Sequence, residues 1–173
     1  MAAAAPVTRP LDLRLPAGWH RSGPEHPGIL VATGPAGRSG DAPRVGVTVA
    51  PWGGKADPDG YRALVRRALD LLPGARLLQA TDTPTVGLAL DTTLLVSHRA
   101  GGRPTTSLQR HLMTPEATSV EIVASCADRD WPDQEPMLTA IVRRVLWTGV
   151  PDDEDQRADG RMEPTNARTG VDG

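Results

Sequence analysis

A Gly-Gly pair constrains this chain more than any other feature. Gly101 and Gly102 separate "VGLALDTTLLVSHR" (Val86 to Arg99) from "RPTTSLQRHLMT" (Arg103 to Thr114), and both runs are rich in β-branched and apolar residues. Two glycines at this point are a strong signal for a two-residue hairpin turn. A third run, "TSVEIVASC" (Thr118 to Cys126), follows at once. Three strands joined by short turns can only be antiparallel neighbours.

The rest of the chain must cover that meander. "LDLRL" (Leu11 to Leu15), "ILVAT" (Ile29 to Thr33) and "RVGVTVAPW" (Arg44 to Trp52) read as strands, and "ARLLQATD" (Ala75 to Asp82) as a fourth. Asp57 and Pro58 open a helix whose apolar stripe is Tyr61, Leu64, Val65, Ala68, Leu69 and Leu72; Pro73-Gly74 ends it. A last helix is expected from Pro132 to Trp147, with Met137, Leu138, Ile141, Val142, Val145 and Leu146 on its apolar face. The predicted order is β-β-β-α-β-β-β-β-α, an α+β sandwich of an antiparallel sheet and two amphipathic helices. Residues 11–149 form one expected domain. Residues 1–10 are expected to be disordered, as is the acidic tail, 150–173.

The formal net charge is -2. From Pro151 onward seven acids stand against three arginines, which leaves the body slightly basic. That balance argues against a nucleic-acid binder. Cys126 is the only cysteine, so neither an internal disulfide nor a cysteine-based zinc site is available. No run approaches the roughly 18 apolar residues of a membrane span. The N-terminus has no basic segment followed by an apolar stretch, so the expected location is cytoplasmic.

"LRLPAGW" (Leu13 to Trp19), Tyr61 with the helix leading to "LLPGARLL" (Leu71 to Leu78), "VGLAL" (Val86 to Leu90) and "PMLTAIVRRV" (Pro136 to Val145) carry a family resemblance. On these stretches, which span residues 11 to 147, the chain resembles the PsbP-like fold, nearest its bacterial branch of LpqN-type lipoproteins and small proteins. The resemblance implies a binding or accessory module without a shared catalytic set, so no functional residue carries over. It also brings assembly factors and secretion chaperones of the same fold into view. No signal peptide and no lipid-acceptor cysteine are expected, a departure from the lipoprotein pattern.

His98 and His111 invite a metal-site reading. With a two-residue turn at Gly101-Gly102, His98 faces Thr105 and His111 faces Thr92, on the same sheet face. The six-residue offset separates them by roughly 20 Å at about 3.3 Å per residue. They cannot share an ion whose ligand nitrogens must lie about 2 Å away. A second turn around Glu116-Ala117 would put His111 opposite Ile122, as a packed residue on the apolar face with Leu94, Val96, Ala124 and a buried, inert Cys126. The same register puts Arg110 and Glu121 together on the other face as an ion pair.

Two loops carry weaker signals. "PWGGKADPDGY" (Pro51 to Tyr61) lacks the glycine spacing and the Ser/Thr of a phosphate loop, and Asp57 and Asp59 would repel an anion. "DRDWPDQE" (Asp128 to Glu135) lacks the central glycine of a calcium loop; its acids read as partners of a helix dipole. No cofactor or metal site is expected, and no catalytic motif occurs. The expected function is a non-catalytic binding or accessory module that engages a protein, with Trp52, Arg99, Arg103 and Arg110 as candidate surface contacts. The concave sheet surface and the Gly34 to Pro43 loop are further candidates. A small-ligand site or enzyme built around His111 or His98 is the alternative, and a chaperone for a hydrophobic segment is a third reading.

Overall fold

The glycine hairpin forms as its sequence requires. Gly101 and Gly102 both take positive φ, 57° and 80°, the conformation of the tight turn that matches strand twist. A computed structural model describes residues 15–22 and 28–144. Apart from Leu15, which is not in a strand, the expected first strand lies outside the described residues. So do both expected disordered segments and the end of the last helix, Val145 to Trp147.

The chain runs β1 (His20–Arg21), β2 (Ile29–Thr33), β3 (Arg44–Pro51), α1 (Pro58–Asp70), β4 (Arg76–Asp82), β5 (Leu90–Ala100), β6 (Arg103–Met113) and β7 (Thr118–Ala127). A single 3-10 turn, Asp128–Asp130, leads into α2 (Trp131–Arg144). The strands make one antiparallel sheet in the order β1-β2-β3-β7-β6-β5-β4. The predicted α+β order of strands and helices is the observed one. The first described strand is two residues at His20, and β5 begins at Leu90 rather than Val86, which is 82% exposed in the preceding loop.

Alternation along the strands divides the core in two. One face carries Ala32, Val45, Val47, Leu112, Val120, Ile122, Ala124 and Cys126, and α2 lays Leu138, Ile141 and Val142 onto it. Each valine, leucine or isoleucine among them contributes about 1.5–3 kcal/mol when fully buried. Trp19 closes this core, its indole N–H 3.3 Å from the Met137 sulfur. The other face holds a smaller cluster, Tyr61, Leu90 and Met113, with Trp52, Ala56 and Val65 packed against it.

α1 begins where its sequence says it should. The Asp57 side chain accepts from the Gly60 N–H at 2.9 Å, and Pro58 opens the first turn. Its apolar stripe is not buried as expected, however. Only Tyr61 is buried, and Leu64 stays 50% exposed. The helix rests on the sheet through Tyr61 and, partly, Val65, and the stripe beyond Val65 stands off from it.

Candidate functional site

The second turn of the meander decides where His111 lies. Thr114 N–H donates to the Thr118 carbonyl at 2.9 Å, so three residues, Pro115, Glu116 and Ala117, form the loop. Ala117 takes a left-handed φ of 59°. A two-residue turn at Glu116-Ala117 is therefore corrected by one residue, and His111 pairs with Glu121 instead of Ile122. A slip of one residue moves every side chain of β7 to the other face. Cys126, Ile122 and Ala124 face α2, while His111 shares the α1 face with Thr92, Leu94, Gln109 and Glu121. Arg110 and Glu121 lie on opposite faces and form no ion pair.

His111 is 2% exposed and sits in a chain of long hydrogen bonds along β6. Its Nδ1 is 3.3 Å from the Tyr61 hydroxyl and its Nε2 is 3.4 Å from Gln109 Oε1. Gln109 Nε2 donates to Ser107 Oγ at 3.3 Å, and Ser107 Oγ donates to the Val96 carbonyl at 3.5 Å. One arrangement satisfies every member: Tyr61 donates to a neutral imidazole, which donates from Nε2 to Gln109. Burial favours that neutral form and pulls the His111 pKa down to about 4. Burial, and then the negative charge of Glu121, pushes the Tyr61 hydroxyl up to about 12. Burial raises the Glu121 carboxyl as well. Both ring nitrogens of His111 are engaged, so the imidazole holds no free lone pair for general-base work.

Beside His111 lies a cavity of about 140 Å³ between α1 and the sheet. Val65 and Leu69 of α1, Leu77 and Ala80 of β4, and Leu94 of β5 form its apolar walls, with His111 at the floor. It exists because α1 stands off from the sheet. An open depression of about 470 Å³ adjoins it across Arg62 and Asp82, along the Thr83 to Ala89 loop. Arg62 is paired with Asp59 at 2.9 Å and Asp82 at 3.5 Å, and Asp82 also accepts from the Thr92 hydroxyl.

The most buried ion pair among the described residues lies on the α2 face. Arg110 grips Asp91 through Nε at 2.9 Å and Nη2 at 2.7 Å, and Thr85 donates to the same carboxylate at 2.6 Å. The Asp91 side chain is 2% exposed and that of Arg110 is 19%. Burial opposes ionisation of Asp91, but the Arg110 and Thr85 hydrogen bonds and the Arg110 charge outweigh it, and its pKa falls. Arg110 is thus engaged internally and shows little of its guanidinium to solvent. The first hairpin's register already places Asp91 diagonal to Arg110, and a lone carboxylate inside "LALDTTLL" was the available signal.

The other expected contacts scatter. Trp52 is half-buried, its ring 5.3 Å from that of Tyr61 in an edge-on arrangement. Arg99 and Arg103 are exposed at the hairpin tip; Arg99 donates to the Gly102 carbonyl and Arg103 pairs with Asp41 at 2.6 Å. His98 lies opposite Thr105, six positions from His111 on the ladder, with its Nδ1 buried and unpartnered among the described residues. Cys126 is buried and its thiol is pushed up to about 11, by burial and then by Asp130 and Asp128. Among the described residues no three His, Cys, Asp or Glu side chains gather to hold a metal ion.

The acidic segment has a second role beyond the helix dipole. Buried Asp130 accepts from the Ser39 hydroxyl and, at 3.0 Å, from its backbone N–H, while Asp128 accepts from Thr106. Arg129 donates to the Ser39 carbonyl at 2.8 Å and Arg38 pairs with Asp133 at 3.1 Å. The Gly34 to Pro43 loop is thereby tied to the start of α2.

No family model matches the chain, and no curated protein sequence does. Solved structures do. The protein of unknown function PA94 from Pseudomonas aeruginosa matches with a TM-score of 0.59 at 19% identity, over 76% of this chain and 88% of that one. LpqN, involved in cell envelope biogenesis of Mycobacterium tuberculosis, matches with 0.57 at 19% identity, over 78% and 79%. The cyanobacterial PsbP of Synechocystis sp. PCC 6803 matches with 0.52 at 19% identity, over 75% and 81%.

Proposed function

Starting from a PsbP-like fold that resembles LpqN, we propose that this chain is a non-catalytic accessory module that binds another protein. One observation carries the reading: the reactive groups at His111, Arg110, Asp91 and Cys126 are engaged in holding the fold. His111 is neutral and bonded at both ring nitrogens, Arg110 and Asp91 hold each other, and Cys126 is a buried, protonated thiol. A catalytic set needs groups that converge on a reacting atom with a free lone pair or proton. The cavity beside His111 favours the small-ligand alternative, but its polar groups beyond the satisfied His111 floor are Arg62, Arg66, Thr81, Asp82 and Thr92, of which Arg62, Asp82 and Thr92 already hold one another. Such a site suits an apolar group better than a reaction.

Affinity purification of the full chain from native cells tests the proposal. The expected result is one protein recovered in stoichiometric amount, and repeated recovery of the chain alone overturns it. Fractionation of the same cells checks the proposed cytoplasmic location.

A further inference from the structure

The sheet ends at β4 in an exposed edge whose only inward charge, Asp82, lies at its last residue and is paired with Arg62 of α1. All seven residues, Arg76 to Asp82, are exposed, and among the described residues nothing pairs with the outer edge. Exposed edges are normally guarded by shortness, lysine, proline, an inward charge or a bulge. β1, at the opposite end, is two residues long. β4 has no lysine and no proline, and its charges sit only at its ends. It has one bulge, at Leu78, after which Gln79 to Asp82 run in regular register against β5.

The cavity beneath α1 opens at this same edge. Ala80, Thr81 and Asp82 line it and are exposed, although Thr81 and Ala80 alternate across the strand. The cavity therefore reaches the rim of the sheet. Leu77, which lines it, is 52% exposed, and two further leucines of the same elements lack cover, Leu78 on β4 at 53% and Leu64 on α1 at 50%. Leu71, just past the helix, is 84% exposed. A row of unpaired backbone donors and acceptors calls for an extended chain, and a side-chain cavity beside it selects which residue that chain presents.

We propose that the outer edge of β4 and the cavity beneath α1 together receive an extended segment of a partner protein. The segment pairs along Gln79 to Asp82 and seats one apolar side chain between α1 and the sheet. Ala80 lies opposite Leu94 and so faces α1. Cross-strand partners share a face, so the residue that pairs with Ala80 points toward the cavity mouth. The volume of about 140 Å³ is close to that of an engineered apolar cavity, about 150 Å³, that admits benzene. Leucine, methionine or phenylalanine fits it. A second copy of β4 fits poorly: the bulge turns Arg76 and Asp82 to opposite faces, so in a two-fold pairing about Gln79 their charges do not meet.

This inference rests on the protein-binding reading and names its surface. The probe is a synthetic peptide of alternating leucine and threonine between terminal lysines, with a proline-interrupted isomer as control. Titrated into the isotope-labelled full chain, it is expected to shift the amides of Gln79 to Asp82 together with Val65, Leu69 and Leu94. Ala80→Phe, which fills the cavity mouth, is expected to weaken binding at least tenfold, and the isomer to show the same loss. Leu77→Lys, at an exposed position, gives the same readout independently of how Ala80→Phe folds. Shifts centred on β1 or α2, an affinity unchanged from that of the native chain in both variants, or a concentration-dependent homodimer that both variants abolish would each overturn it. If a native partner still co-purifies with both variants, this surface is wrong while the protein-binding reading stands.

Discussion

Acidification should destabilise this protein through one imidazole. His111 has an ordinary pKa of 6.5 and is held at about 4 in the folded chain, because burial disfavours its charged form. The unfolded chain therefore takes up a proton at His111 before the folded chain does. A depressed folded pKa gives stability that is complete above 6.5 and is lost progressively as pH falls toward 4. At about 1.4 kcal/mol per pH unit across that gap, the loss is about 3 kcal/mol. Burial at 2% exposure means solvent screening does not reduce it much. The measurement is urea unfolding at pH 7 and pH 4 for the native chain and for His111→Gln, compared as a difference. The comparison is needed because Glu121, whose pKa is raised, responds to acid in the opposite sense. The variant should lose most of the extra pH dependence. If both proteins weaken equally between pH 7 and 4, the neutral-imidazole account is wrong. The His111 imidazole, followed through its C2 proton by NMR, should likewise stay neutral well below pH 6.

Three other perturbations follow from the same geometry. Arg110→Met leaves Asp91 as a buried charge without its cation and should cost about 3–5 kcal/mol by chemical denaturation, with much of it recovered on adding Asp91→Leu. Ala117→Gly relieves the positive φ of the β6–β7 loop but removes a methyl that is 4% exposed, so the two effects offset and stability should change by less than about 1 kcal/mol in the same assay, whereas Ala117→Val should destabilise. Cys126 should be silent to a thiol reagent at pH 8 in the folded chain and react fully in urea, since burial holds it as the thiol; fast labelling of the native chain would contradict its placement.

These consequences separate what was legible in the sequence from what was not. Gly101-Gly102 announced its turn because only glycine takes both positive φ values cheaply, and the β5–β6 register followed from it. The next turn had no such mark. Its left-handed residue is Ala117, and "TPEAT" signals neither two residues nor three. That single residue moved Ile122 and Cys126 to the α2 face and separated Arg110 from Glu121. The Asp57 cap and the α2 core residues Leu138, Ile141 and Val142 were readable from local pattern. How closely α1 docks was not. An apolar stripe shows that a helix has a face to bury, but not whether the sheet meets it. Here Val65 and Leu69 line a cavity, and the edge of β4 beside them stays open.

The mass of the native complex tests the central claim most directly. Native mass spectrometry of the endogenous protein, purified without crosslinking, should give a species heavier than the 18.3 kDa chain by the mass of one different protein. The claim is contradicted if repeated preparations give only the bare chain at 18.3 kDa.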